Sequence, residues 1–104
     1  MIDIPFLAMW EDAMVAGVKT CTTRSKRYGK PGDRFVAFGR TFELVDVQKK
    51  CLGDVADGLW QQEGCHSPQE FRAVWSKIHP RRQYQYWDMR WVHFFKLVPP
   101  EDAA

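Results

Sequence analysis

The chain reads as an α+β domain, and three observations predict it. Two neighbouring segments alternate in hydrophobicity around a tight reversal, which is the pattern of an antiparallel hairpin. Two later segments carry apolar residues at helical spacing. A last apolar run before a polar tail reads as a strand again. The order is helix, strand, two hairpin strands, helix, helix, strand. It predicts an antiparallel or mixed sheet of four or five strands with helices packed against it. In so short a chain a strongly curled sheet approaches a barrel.

Each element has its own warrant. From Pro5 to Ala16, Phe6, Trp10, Ala13 and Met14 recur at helical spacing. Pro5 suits a first turn and Gly17 a left-handed stop. Lys19 to Arg24 is rich in hydroxyls and free of breakers, so it reads as a strand. Ser25 to Gly32 holds Gly29, Pro31 and Gly32 and reads as a loop. Arg34 to Phe38 and Thr41 to Gln48 are the hairpin strands, with the reversal at Gly39 and Arg40 and a slip in alternation at Leu44 and Val45. Cys51 to Gln62 has helical spacing weakened by Gly53 and Gly58. Ser67 to Ile78 is the clearest helix. Ser67 is its N-cap, Pro68 its first residue and Glu70 its third, the pattern of a capping box. Trp87 to Val98 is the last strand, and a polar, frayed tail is expected from about residue 99.

The whole chain bounds the function. Its 104 residues, 45% of them hydrophobic, predict one domain over 1–104 with a single modest core. A net charge of +2 does not argue for nucleic acid. Arg24, Lys26, Arg27, Lys30 and Arg34 do form a basic stretch opposed only by Asp33. The three cysteines (Cys21, Cys51, Cys65) make no C-x-x-C pair and the three histidines are scattered, so no metal site is expected. No signal pattern or long apolar run appears. Free thiols then suggest a cytoplasmic protein with no membrane partner. A monomer is the default expectation.

The run Gly17-Val18-Lys19-Thr20-Cys21-Thr22-Thr23-Arg24 concentrates reactive groups. A desolvated lysine can take the proton of a threonine hydroxyl and make a nucleophile without histidine or metal. On a regular strand Lys19 and Thr22 face opposite ways. They act together only if the backbone bends near Thr20 or Lys19 lies in the turn before the strand. Otherwise Lys19 reaches solvent and Thr22 is an ordinary strand residue. Thr20 and Arg24 share the face of Thr22, and Arg24 can bind a substrate oxygen. Cys21 is a rival nucleophile, but it faces away from Thr22, into the core. Glu70 can act as a general acid, although its place in the cap already explains it. Tyr84, Tyr86, Trp87 and Trp91 either pack in the core, the commoner place for aromatics at a sheet edge, or stack on a base, with Tyr84 and Tyr86, closest to Arg81 and Arg82, the best placed to stack.

Taken together, these residues resemble the ASCH domain family, a branch of the PUA-like β-barrel folds. The likeness rests on Ala16-Gly17, on Lys19-Thr20-x-Thr22-x-Arg24, and on Gly29-Lys30-Pro31-Gly32-Asp33 before a strand. It continues through Ser67-Pro68-Gln69-Glu70-Phe71 and the closing Val92-His93-Phe94. Within that family the chain is most similar to small bacterial amidohydrolases that act on N4-acetylcytidine. The resemblance implies a small PUA-like curled sheet with flanking helices. It also implies hydrolysis of the N4-acyl amide to cytidine and carboxylate, with Lys19 as proton acceptor, Thr22 as nucleophile and Glu70 as proton donor. Thr20, Arg24 and Tyr84 are the expected substrate contacts, and no cofactor is implied. The alternative is an RNA-binding module with the basic loop (Arg24, Lys26, Arg27, Lys30) and Arg81 and Arg82 on phosphates.

Overall fold

The computed structural model describes residues 1–103. A 3₁₀ turn, Ala8–Trp10, leads into α1, Glu11–Val15. The strands are β1 (Cys21–Arg24), β2 (Arg34–Ala37), β3 (Arg40–Cys51) and β4 (Met89–Leu97). Between β3 and β4 lie α2 (Leu52–Gly58) and α3 (Pro68–Ile78). The four strands form one antiparallel sheet in the order β1-β4-β3-β2. It curls into a half-barrel, as the α+β expectation requires.

Several boundaries differ from the sequence pattern for local reasons. The first helix is shorter than Pro5 to Ala16, because its opening residues form the 3₁₀ turn. Gly17 does stop it, at φ 76°, and the reversal lets the Val18 and Lys19 N–H groups both donate to Ala13 O. Lys19 and Thr20 therefore precede the strand instead of belonging to it. The hairpin turns at Phe38-Gly39, one residue earlier than expected; both have positive φ, as a two-residue primed turn demands. The slip in β3 is a bulge: pairing with β4 shifts between Leu44 and Asp46, and Val45 is exposed. α2 ends at Gly58 rather than Gln62. The tail is tied down, since Pro100–Asp102 makes a 3₁₀ turn and Arg34 Nη1 donates to Asp102 O.

The sheet separates two apolar clusters. On one face Cys21 and Val92 pack with Leu52, Val55 and Ala56 of α2 and Phe71 and Trp75 of α3. On the other, Phe35, Phe42, Leu44 and Phe95 pack with Ile4 and Met14 from the N-terminal segment. Trp10 contacts both clusters. β1 is an edge strand with one cluster on either side. A cavity that wraps its free edge therefore meets side chains from both of its faces.

Candidate active site at the edge of the first strand

The cavity has a volume of about 570 Å³ and is lined by residues of the N-terminal segment, β1, the loop after it, the turn at residues 63–65, and α3. Lys19, Thr22, Thr23, Arg24 and Glu63 supply its polar wall; Phe6, Trp10, Tyr28, Phe71 and Trp75 supply aromatic ones.

Glu63 is the centre of the polar wall, and it is 5% exposed. Its backbone is placed by a helical turn after α2, in which the Glu63 N–H donates to Leu59 O. Gly64 ends that turn at φ 94°, where a Cβ would lie 3.0 Å from the Trp10 ring and 3.2 Å from Lys19 Cβ. Both the left-handed backbone and the close approach demand glycine. Gln62 O then accepts from the N–H groups of Thr20 and Cys21, which pins this turn to the edge of β1.

Three side chains of the segment entering β1 converge on the Glu63 carboxylate. Lys19 Nζ lies 3.5 Å from Oε1, Thr23 Oγ1 donates to Oε2 at 2.6 Å, and Cys21 Sγ lies 3.5 Å from Oε2. Lys19 is 3% exposed. Its Nζ also donates to Cys21 O at 2.9 Å and Glu63 O at 2.7 Å, and sits 4.5 Å from the centre of the Trp10 ring. A buried ammonium is tolerated only with such complete pairing. None of its hydrogen-bond acceptors is Thr22. Its carbonyl partner, Cys21 O, nonetheless belongs to the peptide that joins Cys21 to Thr22.

Thr22 stands on the opposite face of β1. Arg24 Nε donates to its Oγ1 at 2.9 Å, while Arg24 Nη2 donates to Pro5 O. The guanidinium lies 4.8 Å from the centre of the Phe6 ring and 5.8 Å from that of Tyr28. Burial pushes its pKa below the usual arginine value, with Tyr28 and then Glu63 opposing the shift. Behind Thr22 sits His93, fully buried. Its Nε2 accepts from the Tyr28 N–H at 3.0 Å, so Nδ1 carries the proton toward Thr22 O at 3.3 Å.

The sequence-derived candidates divide accordingly. Lys19, Thr22 and Arg24 line the cavity; Glu70, Thr20 and Tyr84 do not. Glu70, expected to join them, stands on the surface of α3 in this structure. Its carboxylate is 40% exposed and lies 3.3 Å from His66 Nδ1, one turn away on the helix surface. Its N–H donates to Ser67 Oγ at 3.0 Å, so the cap exists. The carboxylate itself is drawn to His66 instead of returning to the cap. Thr20 contributes backbone, its N–H to Gln62 O and its carbonyl to Phe95 N. Tyr84 packs against the α2–α3 cluster. Glu63 and Thr23 are the residues that sequence reasoning missed. The signal was a Glu-Gly pair closing one helical segment just before the N-cap of the next.

The two buried thiols near Glu63 are poor nucleophiles. Burial first, then Glu63, pushes Cys21 well above the ordinary thiol value. Cys65 is raised to about 11, by burial, then Glu70, then Glu63. No group of three or more metal-ligating side chains occurs among the described residues. No described helix is long and apolar enough to cross a membrane.

Comparison with solved structures defines the class of this fold. Protein EF3133 from Enterococcus faecalis V583, described under the family model DUF984, is similar with a TM-score of 0.63 and 20% identity, over 86% of this chain and 70% of that one. An ASCH domain from Lactobacillus crispatus JV V101 is similar with a TM-score of 0.62 and 13% identity, over 86% of this chain and 70% of that one. No family model and no curated protein matches the sequence. The chain thus has the α+β, PUA-like fold of ASCH domains. That fold is compatible with a hydrolase and does not by itself choose an activity.

Proposed function

We propose that the cavity hydrolyses the N4-acyl amide of N4-acetylcytidine and related N4-acylcytosine nucleosides to cytidine and a carboxylate. One observation carries this reading: a buried ammonium–carboxylate pair, Lys19 and Glu63, shares an aromatic-walled cavity with the Arg24-bound hydroxyl of Thr22. An aromatic wall suits a flat base, and the polar wall suits an amide beside it.

In this reading the proton of Lys19 passes to Glu63, leaving an amine and a carboxylic acid. The Lys19 amine and the Thr22 hydroxyl stand on opposite faces of β1, so this step requires the Lys19 side chain to swing around the free edge of the strand when substrate binds. It then takes the proton of Thr22, whose oxygen attacks the acyl carbonyl while Arg24 stabilises the developing alkoxide. The tetrahedral species collapses with cleavage of the C–N4 bond, and Glu63 gives its proton to the departing nitrogen. Lysine is again an ammonium and glutamate a carboxylate. Water then attacks the acyl-threonine. Its proton passes to Glu63 while Lys19, again swung around the strand edge, protonates the leaving Thr22 oxygen. Transfer from Glu63 back to Lys19 restores the pair, and the acid product departs as its carboxylate with release of one proton. Glu63 takes the proton-donor role that the family resemblance had implied for Glu70, and the organic substrate needs no cofactor in this cycle.

The test is conversion of N4-acetylcytidine to cytidine, followed by ultraviolet absorbance. Wild type is expected to turn over, and Lys19→Met, Thr22→Val and Glu63→Gln are each expected to be inactive while folded. Full activity in Thr22→Val removes the nucleophile assigned here.

A second reading has a separate basis. Arg27 and Lys49 lie 5.6 and 5.5 Å from the Trp91 ring centre, outside the cavity. A ring flanked by cations suits an RNA strand. Affinity for single-stranded RNA that falls steeply with salt, without nucleoside turnover, supports that reading over the hydrolase.

A further inference from the structure

Thr23 makes the shortest contact on the Glu63 carboxylate, and the catalytic scheme above does not use it. Its position calls for no hydroxyl on packing grounds. It pairs across the sheet with fully buried Val92 and lies on the face of Cys21, beside an apolar cluster. Valine has the same branching, similar size and equal aptitude for a strand. A hydroxyl buried there is costly unless it is paired, and its partner is one oxygen of one carboxylate.

The two oxygens of Glu63 are used unequally. Oε2 accepts from Thr23 at 2.6 Å and from Cys21 Sγ at 3.5 Å, whereas Oε1 has only Lys19 at 3.5 Å. Each carboxylate oxygen offers about two acceptor sites. Oε2 is therefore filled, and Oε1 keeps room for another group on the Lys19 side. We propose that Thr23 is a positioning residue. Its hydroxyl holds Oε2 so that Oε1 is the oxygen that takes the proton from Lys19 and delivers it to the substrate nitrogen. The inference rests on the hydrolase reading for its chemistry, but not for the placement of Glu63 itself.

The experiment has two arms, run on wild type, Thr23→Val, Thr23→Ala and Thr23→Ser, with folding checked by circular dichroism. In the first, without ligand, three-bond couplings report the Glu63 side-chain rotamer by NMR. Wild type and Thr23→Ser are expected to show one rotamer, and Thr23→Val and Thr23→Ala averaged couplings. In the second, N4-acetylcytidine turnover should fall by about 10²-fold in kcat for Thr23→Val and Thr23→Ala, with KM nearly unchanged, and return with serine. A single Glu63 rotamer in the variants lacking the hydroxyl overturns the proposal, as does undiminished kcat. Acyl transfer to Thr23 itself, located by mass spectrometry, also overturns it, because Thr23 is then the nucleophile. If wild type leaves N4-acetylcytidine intact while the rotamers behave as expected, the hydrolase reading fails and the anchoring of Glu63 by Thr23 stands.

Discussion

Glu63 and Glu70 sit on either side of one helix start and live in different physical worlds. Glu63 is buried against an ammonium, a hydroxyl and a thiol. Glu70 lies on the helix surface beside a histidine whose own side chain is 90% exposed. A carboxylate in the first turn of a helix suits the helix dipole, so Glu70 needs no tertiary partner. No helix or strand rule asks for a carboxylate at position 63. Its cost of burial is met by tertiary partners instead of by its own helix or strand.

The largest expected effect separates the two directly. Glu63→Gln should lower turnover of N4-acetylcytidine by about 10²–10⁴-fold, the range for loss of a general acid, whereas Glu70→Gln should stay within about twofold of wild type because its carboxylate lies outside the cavity. Steady-state assays of both decide it. The opposite ranking would return the proton-donor role to Glu70.

Stability should divide the pair in the same direction. Glu63→Ala leaves the Lys19 ammonium buried without its counter-charge and should cost about 3–5 kcal/mol in urea unfolding. Glu70→Ala keeps the Ser67 cap bond, which is made by backbone N–H, and should cost well under about 1 kcal/mol. A Lys19→Met, Glu63→Leu double variant should regain much of the loss while remaining inactive. Equal losses in the two single variants would mean that Lys19 draws little from Glu63.

The thiols sharpen the contrast. Cys21 is shifted by burial and then by Glu63, while Cys65, at about 11, feels Glu70 more than Glu63 after burial. Native protein at neutral pH should therefore alkylate slowly at both, and all three cysteines should react once it is unfolded. Glu63→Gln should ease the reaction of Cys21 and leave Cys65 the less affected; Glu70→Gln should do the reverse. Mass mapping after timed iodoacetamide treatment reads both.

The smallest effect belongs to His93, which sits behind Thr22 on the other face of β1. Burial lowers the His93 pKa below 6.5, opposed by the Thr22 carbonyl and reinforced by Arg24 and Arg27. The folded protein thus resists a proton that the unfolded chain accepts. This contribution is complete above pH 6.5 and is lost as pH falls through the folded pKa. His93→Gln should remove that part of the acid dependence of unfolding, and substitution at Glu63 or Glu70 should leave it in place. A slope unchanged in His93→Gln assigns the acid sensitivity to other groups.

The physics of short windows settled much of this protein in advance. Helical periodicity and the Ser67-Pro68 start located α3, Gly17 located the stop before β1, and alternation located the β2–β3 hairpin and its bulge. These features depend on neighbours within a few residues, so they are present in the linear chain. Strand alternation left the pairing of Lys19 with Thr22 open; the structure sets Lys19 in the turn before β1 and its Nζ on Glu63. What the chain could not announce is that the turn at Gln62 and Glu63 docks on the free edge of β1. Two backbone hydrogen bonds from Thr20 and Cys21 to Gln62 O, and a left-handed Gly64 fitted against Trp10, make that contact. A carboxylate 44 residues from Lys19 and 40 from Thr23 thereby lands on both. Periodicity carries no information about which loop meets which strand edge; packing alone decides that, and here it chose Glu63.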